Sequence, residues 1–147
     1  MAGESVGDIE IEARPYGPDS TPEEREALLR RVWLYRPDIV YWHELPVMSE
    51  WQVELFGRRM EELTESVDDY GVLVDLRHAK PPNAAIRRRL RDVYTRAMKS
   101  GLSRAAVFTE ANFFINVAAK FVMGGAGLRV FSVHKHREDA EAALGIR

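Results

Sequence analysis

The sequence predicts an α/β domain in which four or five mostly parallel strands are covered by helices. Three observations carry this prediction. Short apolar runs alternate with amphipathic helices, the run at 70–76 is apolar nearly throughout, and two aromatic strands precede the first long helix. Nearly continuous apolar strands are buried on both faces, which is typical of a parallel sheet between helices. From residue 31 we expect the order β-β-α-β-α-β-α-β-α with right-handed crossovers, so 31–147 is the domain and 1–30 an N-terminal appendage.

The composition excludes several classes of protein. The 147 residues include 21 Lys and Arg, 23 Asp and Glu and no Cys, with a formal net charge of -2. Without Cys there are no disulfides, thiolate metal sites or Cys nucleophiles. The near-neutral charge gives no overall attraction to nucleic acid, and no apolar run approaches the ~20 residues of a membrane span. The sequence does not begin with a signal-peptide pattern, so we expect a cytoplasmic protein.

The appendage contains a possible edge strand and a short helix. Residues 8–14 alternate polar and apolar side chains, as a half-buried strand does, and Pro15 ends the pattern. Residues 21–24 form a capping-box pattern that begins a helix ending near Leu29. So short a helix is stable only if Leu28 and Leu29 pack against the main body.

A hairpin and a long helix begin the domain. Residues 32–35 and 39–43 are rich in β-branched and aromatic side chains, and the intervening Arg36-Pro37-Asp38 suits a turn. A second capping-box pattern at 49–52 begins a helix to about Glu65, whose apolar residues recur every three or four positions.

The remaining strands and helices alternate. We place strands at 70–76, 105–108 and 128–133, and helices at 81–100, 109–123 and 138–144. Pro81-Pro82 begins the first of these helices, and Thr109 is the expected cap of the second. The glycines at 124–127 follow a helix and precede a strand, which is the reverse of the order in phosphate-binding loops. We therefore interpret them as a helix terminator.

The strand–helix order and several local phrases resemble a bacterial family. These phrases are Tyr35–Trp42, Val72–Arg77, Ala105–Phe108, Leu128–Phe131, and a terminal helix with Glu138-Asp139-Ala140 and Ala142-Ala143-Leu144. Together they resemble the SpoIIAA-like, or STAS-like, domains (sulfate transporter and anti-sigma factor antagonist) over about residues 31–147. The resemblance implies a small sheet with helices mostly against one face and a role in regulated protein–protein contact.

The same resemblance draws attention to the loop after the third strand. In the anti-sigma antagonists a phosphorylatable Ser or Thr begins the following helix, where a phosphate changes the local charge by nearly two units. Here residues 77–84 read Arg-His-Ala-Lys-Pro-Pro-Asn-Ala, without Ser or Thr. The phosphorylation switch therefore does not carry over. Some related domains bind small apolar ligands or lipids, which is a second function that the resemblance allows.

The helix at 112–123 is apolar nearly all round, and only Asn112, Asn116 and Lys120 are polar. A helix that covers a sheet needs one apolar side. We therefore expect its second side to be covered by a homodimer partner, by an unidentified protein or by a small apolar ligand. The candidate ligand or partner surface consists of Phe113, Phe114, Val117, Phe121, Trp42, His78 and Asn83.

Titratable residues offer an enzymatic alternative. His78 follows Asp75 in the loop at the carboxyl edge of the sheet, where open α/β sheets bind ligands, and the pair could do general acid–base work. No nucleophile or metal set accompanies them, so we name no catalytic residue and no cofactor. His134 and His136 share a strand face but lack a third metal ligand. His43 and the adjacent Glu44 could form an acid–base pair, but adjacent residues of a strand point to opposite faces of the sheet. We therefore interpret His43 as structural.

The basic residues of the 81–100 helix allow two interpretations. Arg87, Arg88 and Arg91 can share one helical face, which could meet an acidic protein or phosphate groups. A solvated face is favoured, because acidic residues dilute the charge and no aromatic side chains interleave for base stacking.

The leading hypothesis is a non-enzymatic STAS-like interaction domain that forms a homodimer through the helix Phe113–Met123. Binding of a small apolar or lipid-like ligand between this helix and the sheet is the alternative. An enzyme that uses Asp75 and His78 is the second alternative. A nucleic-acid partner and a membrane span are not expected.

Overall fold

Within the described residues, five strands form one mixed sheet in which each strand lies beside the next one along the chain. The structure is a computed structural model that describes residues 14–110 and 113–146. Its strands are β1 (Val32–Arg36), β2 (Ile39–His43), β3 (Tyr70–Asp75), β4 (Leu102–Phe108) and β5 (Phe131–His134). β1 pairs antiparallel with β2 across the turn at Pro37-Asp38, and the other neighbouring strands are parallel. The predicted α/β class is confirmed.

Helices cover both faces of this sheet. They are α1 (Pro22–Leu29), α2 (Glu50–Leu63), α3 (Ala84–Lys99), α4 (Phe113–Ala126) and α5 (Arg137–Ala143). α2, α3 and α4 pack side by side on one face, which we call the three-helix face, and α5 packs on the other face against β3, β4 and β5. None of the described helices is long and apolar enough to cross a membrane.

Strand alternation divides the buried side chains between the two faces. On β2, Val40 and Trp42 point into the larger cluster under the three-helix face, whereas Ile39 and Tyr41 point toward α5. Trp42 is wholly buried and contacts the rings of Phe56 and Tyr94 at centroid distances of 5.4 and 5.3 Å. These aromatic contacts fix the sheet to α2 and α3 directly beneath the edge where the parallel strands end.

The N-terminal helix packs on the same cluster. Leu28 of α1 is wholly buried, so the helix has the tertiary contacts that so short a segment requires. Tyr16, which precedes the helix, is also buried in this cluster and is 3% exposed. Both expected capping boxes are present, at Thr21 for α1 and at Ser49 for α2. The expected strand at 8–14 lies outside the described residues except for Arg14.

Most helix boundaries lie within two residues of the sequence prediction, but the start of α3 and the end of α4 each differ by three. α3 begins at Ala84 rather than at the two prolines, because the Asn83 side chain accepts a hydrogen bond from the Ile86 amide and caps the helix there. α4 continues beyond Met123 through two glycines to Ala126 and is followed by Gly127, whose φ is +90°.

The end of α4 is a Schellman motif. The Gly127 amide donates to the Gly124 carbonyl at 3.1 Å, and the Leu128 amide donates to the Met123 carbonyl at 3.2 Å. Only the last of the four residues at 124–127 is therefore the terminator. The predicted Thr109 cap is wrong in the same region, because Thr109 is buried and its hydroxyl donates to the Asn116 side chain.

Candidate ligand-binding site

The ends of β2, β3 and β4 lie together at the carboxyl edge of the sheet. The Glu44 amide donates to the Asp75 carbonyl at 3.1 Å, and the Leu76 amide donates to the Phe108 carbonyl at 3.0 Å. These bonds extend the parallel pairing one residue beyond each strand. The segments that follow the strands are thus brought to one edge, which is where open α/β sheets bind ligands.

A pocket lies on the three-helix face of this edge. It is enclosed by the sheet, α3, α4 and the loop at 76–82, and its volume is about 40 Å³. Most of its wall is apolar: Val74, Leu90, Val107, Ile115, Ala119 and Val122. Lys80 also lines it and is exposed, so the pocket reaches the surface beside the loop. About three water molecules fit in such a volume.

Glu44 places a carboxyl group in this apolar pocket. The residue is 7% exposed, and its Oε1 accepts a hydrogen bond from Trp42 Nε1 at 2.7 Å. Its other oxygen, Oε2, makes no hydrogen bond to a described residue. Burial raises the pKa of Glu44 to about 7, against the smaller effects of the Trp42 hydrogen bond and the charge on Arg31. Near neutral pH both protonation states of this carboxyl group are populated.

Tyr94 supplies a second polar group. It lines the pocket from α3 and is 2% exposed. Burial and the nearby Glu44 raise the pKa of Tyr94 well above its ordinary value, so the hydroxyl group stays protonated. None of the described residues makes a hydrogen bond to this hydroxyl. A carboxyl group and a hydroxyl group in an apolar wall can orient a ligand that carries one hydrogen-bonding group.

Asp75 belongs to a separate polar cluster on the α5 face of the edge. Its carboxylate accepts hydrogen bonds from the Tyr41 hydroxyl at 2.7 Å and from Arg77 Nη2 at 2.7 Å. The Arg77 amide and Nε bind the other carboxylate oxygen. Burial is the largest single effect and alone would raise the pKa of Asp75, but the hydrogen bonds from Arg77 and Tyr41 and the charge on His43 together outweigh it and hold the pKa below its ordinary value. Asp75 is therefore an ionised group whose oxygens are already bound within the fold.

Two histidines stand beside this cluster. His43 Nε2 lies 3.8 Å from Asp75 Oδ2 and 3.4 Å from His78 Nδ1. Burial and the charge on Arg31 lower the pKa of His43 to about 4, so its ring is neutral at physiological pH. In the described residues no hydrogen bond or ion pair joins Asp75 directly to His78, which the sequence pairs for acid–base chemistry. His43 lies between them.

The C-terminal histidines form no cluster with other potential metal ligands. His134 Nε2 lies 2.7 Å from Ser132 Oγ, and His136 is at the start of α5. Among residues 14–110 and 113–146 there is no group of three or more His, Cys, Asp or Glu residues suited to a metal ion.

The predicted ligand or partner surface is divided among several places. Val117 and Phe121 are exposed on the outer side of α4, 52% and 54% respectively. The side chains of Phe113 and Phe114 lie outside the described part of the structure. Trp42 is wholly buried behind Glu44. The other two residues of the predicted set flank the loop at the carboxyl edge: His78 is exposed beside His43, and Asn83 caps α3.

Neither polar residue of the pocket was predicted to belong to a functional site. One signal was present for Glu44: strand alternation places it on the same buried side as Val40 and Trp42, where an acid is unusual. Nothing in the sequence indicates that Tyr94 of a later helix meets it.

Comparison with protein-family models, curated proteins and solved structures finds no match to this chain. The pocket, the Asp75 cluster and the outer side of α4 are therefore the features from which a function is inferred.

Proposed function

We propose that the chain is a non-enzymatic, STAS-like binding domain whose pocket holds a small, largely apolar ligand with one hydrogen-bonding group. One observation carries this proposal: Glu44 and Tyr94 line an apolar pocket, and Glu44 Oε2 and the Tyr94 hydroxyl make no hydrogen bond to a described residue. A ligand that hydrogen-bonds to both groups gains two polar contacts within an otherwise apolar wall.

A small alcohol has the required chemistry. Its hydroxyl donates to Glu44 Oε2 and accepts from Tyr94, and its hydrocarbon part contacts Ile115 and Val122. The volume of about 40 Å³ accommodates the polar end of such a molecule. A longer ligand extends toward Lys80 or displaces α4, whose inner wall at Ala118 and Ala119 has small side chains.

The STAS-like part of the proposal is supported by the sheet, in which the strands follow chain order and α2, α3 and α4 share one face. The loop between β3 and α3 lacks Ser and Thr. Occupancy of the pocket therefore replaces phosphorylation as the regulatory event in this proposal. The inner side of α4 lines the pocket and its outer side exposes Val117 and Phe121, so a ligand that displaces α4 also moves that exposed surface.

Protein–protein contact through α4 is the second candidate function. The exposure of Val117 and Phe121 favours it, because large apolar side chains on one side of a helix often mark an interface. The homodimer that the sequence predicts through this helix stays a prediction, and its test is sedimentation over a range of protein concentrations.

Thermal denaturation with cyclohexanol, phenol and 1-hexanol tests the pocket. A ligand at 100 times its Kd stabilises a protein by about 2.7 kcal/mol, which raises the Tm by roughly 5–10 °C for a domain of this size. We expect such a rise for at least one of the three alcohols. Ala119→Leu, which fills the pocket, should abolish the rise, whereas Ala142→Leu on the exposed side of α5 should retain it. The proposal is wrong if no alcohol stabilises the protein or if both variants respond alike.

A further inference from the structure

α3 and α4 present an exposed surface that combines basic and apolar side chains. It consists of Arg87, Arg88 and Arg91 of α3 together with Val117, Lys120 and Phe121 of α4, and we call it the arginine–phenylalanine surface. Its two large apolar side chains are one helical turn apart and more than half exposed. The surface is separate from the pocket, which lies on the inner side of α4.

The arginines are held around the Phe121 ring. The guanidinium carbons of Arg87 and Arg91 lie 5.8 and 5.3 Å from the ring centroid, within the range of a cation–π contact. Arg91 also crosses α4 at Gly125, where a Cβ atom would lie only 2.6 Å from Arg91 Cδ. The absence of a side chain at this position allows the arginine to lie against α4. Apolar and positively charged groups are thus presented together rather than on separate surfaces.

The charge of this surface is not neutralised within the described part of the chain. On the side of α3 that faces α2, Arg89 lies 3.1 Å from Glu50 and Arg96 pairs with Glu54, both on α2. By contrast, none of the four basic residues of the arginine–phenylalanine surface has a described carboxylate within ion-pair distance. The ion pairs of α3 are therefore confined to the side that faces α2.

A trough beside Arg88 and Arg91 extends the surface. Its volume is about 330 Å³, and it runs across α3 from the Arg89–Glu50 ion pair to Gly125. Asp92 also lines it but forms no ion pair with either arginine. The trough has room for side chains of a partner, and the two arginines at its wall can each receive a carboxylate.

We propose that the arginine–phenylalanine surface docks a helical segment of a partner protein that combines acidic with apolar residues. The apolar side of the segment covers Val117 and Phe121, and its carboxylates pair with the arginines. A second copy of this chain fits less well. A two-fold dimer through this surface would bring its basic residues face to face. Lys120 is the only charged residue of α4, so this helix has no acidic group that could pair with the arginines of a second copy.

Fluorescence anisotropy with a designed peptide tests this proposal. The probe is a labelled amphipathic helix of about four turns, with leucines at three- and four-residue spacing and flanking glutamates. A matched peptide has glutamine in place of each glutamate. We expect the acidic peptide to bind the full chain at least about tenfold more tightly than the glutamine peptide, and raising the salt to about 0.5 M should reduce this ratio.

Variants locate the binding. The double variant Arg88→Glu/Arg91→Glu should weaken binding of the acidic peptide by about tenfold or more, and Phe121→Ser should have a comparable effect. The control is Arg25→Glu/Arg36→Glu, which makes the same charge change at two exposed arginines that also lie over aromatic rings. Circular dichroism verifies that each variant folds.

Several results overturn the proposal. These are no binding of the acidic peptide at about 1 mM, equal binding of the two peptides, or equal loss in the two double variants. A stable dimer that Phe121→Ser dissociates would identify a second copy as the occupant. Binding to anionic phosphatidylserine vesicles without binding to the acidic peptide would identify a membrane.

Discussion

Replacing Glu44 with glutamine removes a buried acid whose charge the folded protein accommodates poorly. Burial raises the pKa of Glu44 from its ordinary 4.5 to about 7, although the Trp42 hydrogen bond and the charge on Arg31 favour the ionised form. The glutamine side chain is close in size to the native one and keeps an oxygen that can accept from Trp42 Nε1. The substitution therefore changes the titration more than the packing.

The size of the effect follows from the two pKa values. The folded protein binds the Glu44 proton more tightly than the unfolded chain does, so the free energy of unfolding falls as the pH rises from about 4.5 to about 7. At ~1.36 kcal/mol for each pH unit, the full loss is about 3 kcal/mol. Because glutamine does not titrate, the free energy of unfolding of the Glu44→Gln variant should not include this decrease.

His43 titrates with the opposite sign in an overlapping range. Burial and the charge on Arg31 lower the pKa of His43 from its ordinary 6.5 to about 4. The unfolded chain binds this proton more tightly, so the free energy of unfolding rises between about pH 4 and 6.5. The effects of the two titrations on the free energy of unfolding therefore partly cancel in the wild-type protein. The difference between the wild-type protein and the Glu44→Gln variant isolates Glu44.

Urea unfolding followed by circular dichroism measures this difference. We expect the free energy of unfolding of Glu44→Gln, minus that of the wild-type protein, to increase by about 3 kcal/mol between about pH 4.5 and 8. The same measurement on His43→Gln should show a difference that falls over the lower part of this range. A Glu44→Gln difference that is constant with pH would refute the argument that burial dominates the pKa of this carboxyl group.

Four further substitutions test the packing, each by its free energy of unfolding in urea. Gly127→Ala should destabilise the protein by about 1–2 kcal/mol, because φ is +90° at this position. Gly124→Ala should stabilise it by up to about 1 kcal/mol, because this glycine is inside α4 and has open space where the Cβ atom would be. Equal effects of the two substitutions would contradict the Schellman motif. Asp75→Asn should cost about 2–4 kcal/mol, since it weakens the buried bonds to Tyr41 and Arg77, and a loss below about 0.5 kcal/mol would contradict that cluster. Leu28→Ala should cost about 2–4 kcal/mol if α1 packs as described, and no loss would show that α1 contributes little.

Hydrophobic periodicity was sufficient to predict the fold class. The continuous apolar run at 70–76 and the β-branched and aromatic run at 39–43 both became strands of the sheet, because such runs are properties of a few neighbouring residues. Helix ends were predicted less well. Asn83 rather than the preceding prolines caps α3, and Gly127 rather than Gly124 ends α4, because each boundary depends on which local hydrogen bonds form.

The candidate pocket was only partly predictable. A ligand between the apolar helix and the sheet was one hypothesis from the sequence, and the pocket lies there, but the surplus apolar residues that suggested it, Val117 and Phe121, are on the outer side of α4. The pairing of Glu44 with Tyr94 could not be predicted, because the two residues are far apart in the chain and meet only through the packing of α3 on the sheet. For the same reason the sequence pairs Asp75 with His78, whereas in the fold Asp75 binds Arg77 and Tyr41.

Intermolecular nuclear Overhauser effects between a bound alcohol and the methyl groups of the protein test the central claim most directly. With cyclohexanol or whichever alcohol stabilises the protein, the pocket predicts contacts to the methyl groups of Ile115 and Val122 on the inner side of α4. Val117 and Val130, which are exposed, should show none. Contacts to the exposed valines alone, or to no methyl group, would contradict the claim that this domain binds a ligand between α4 and the sheet.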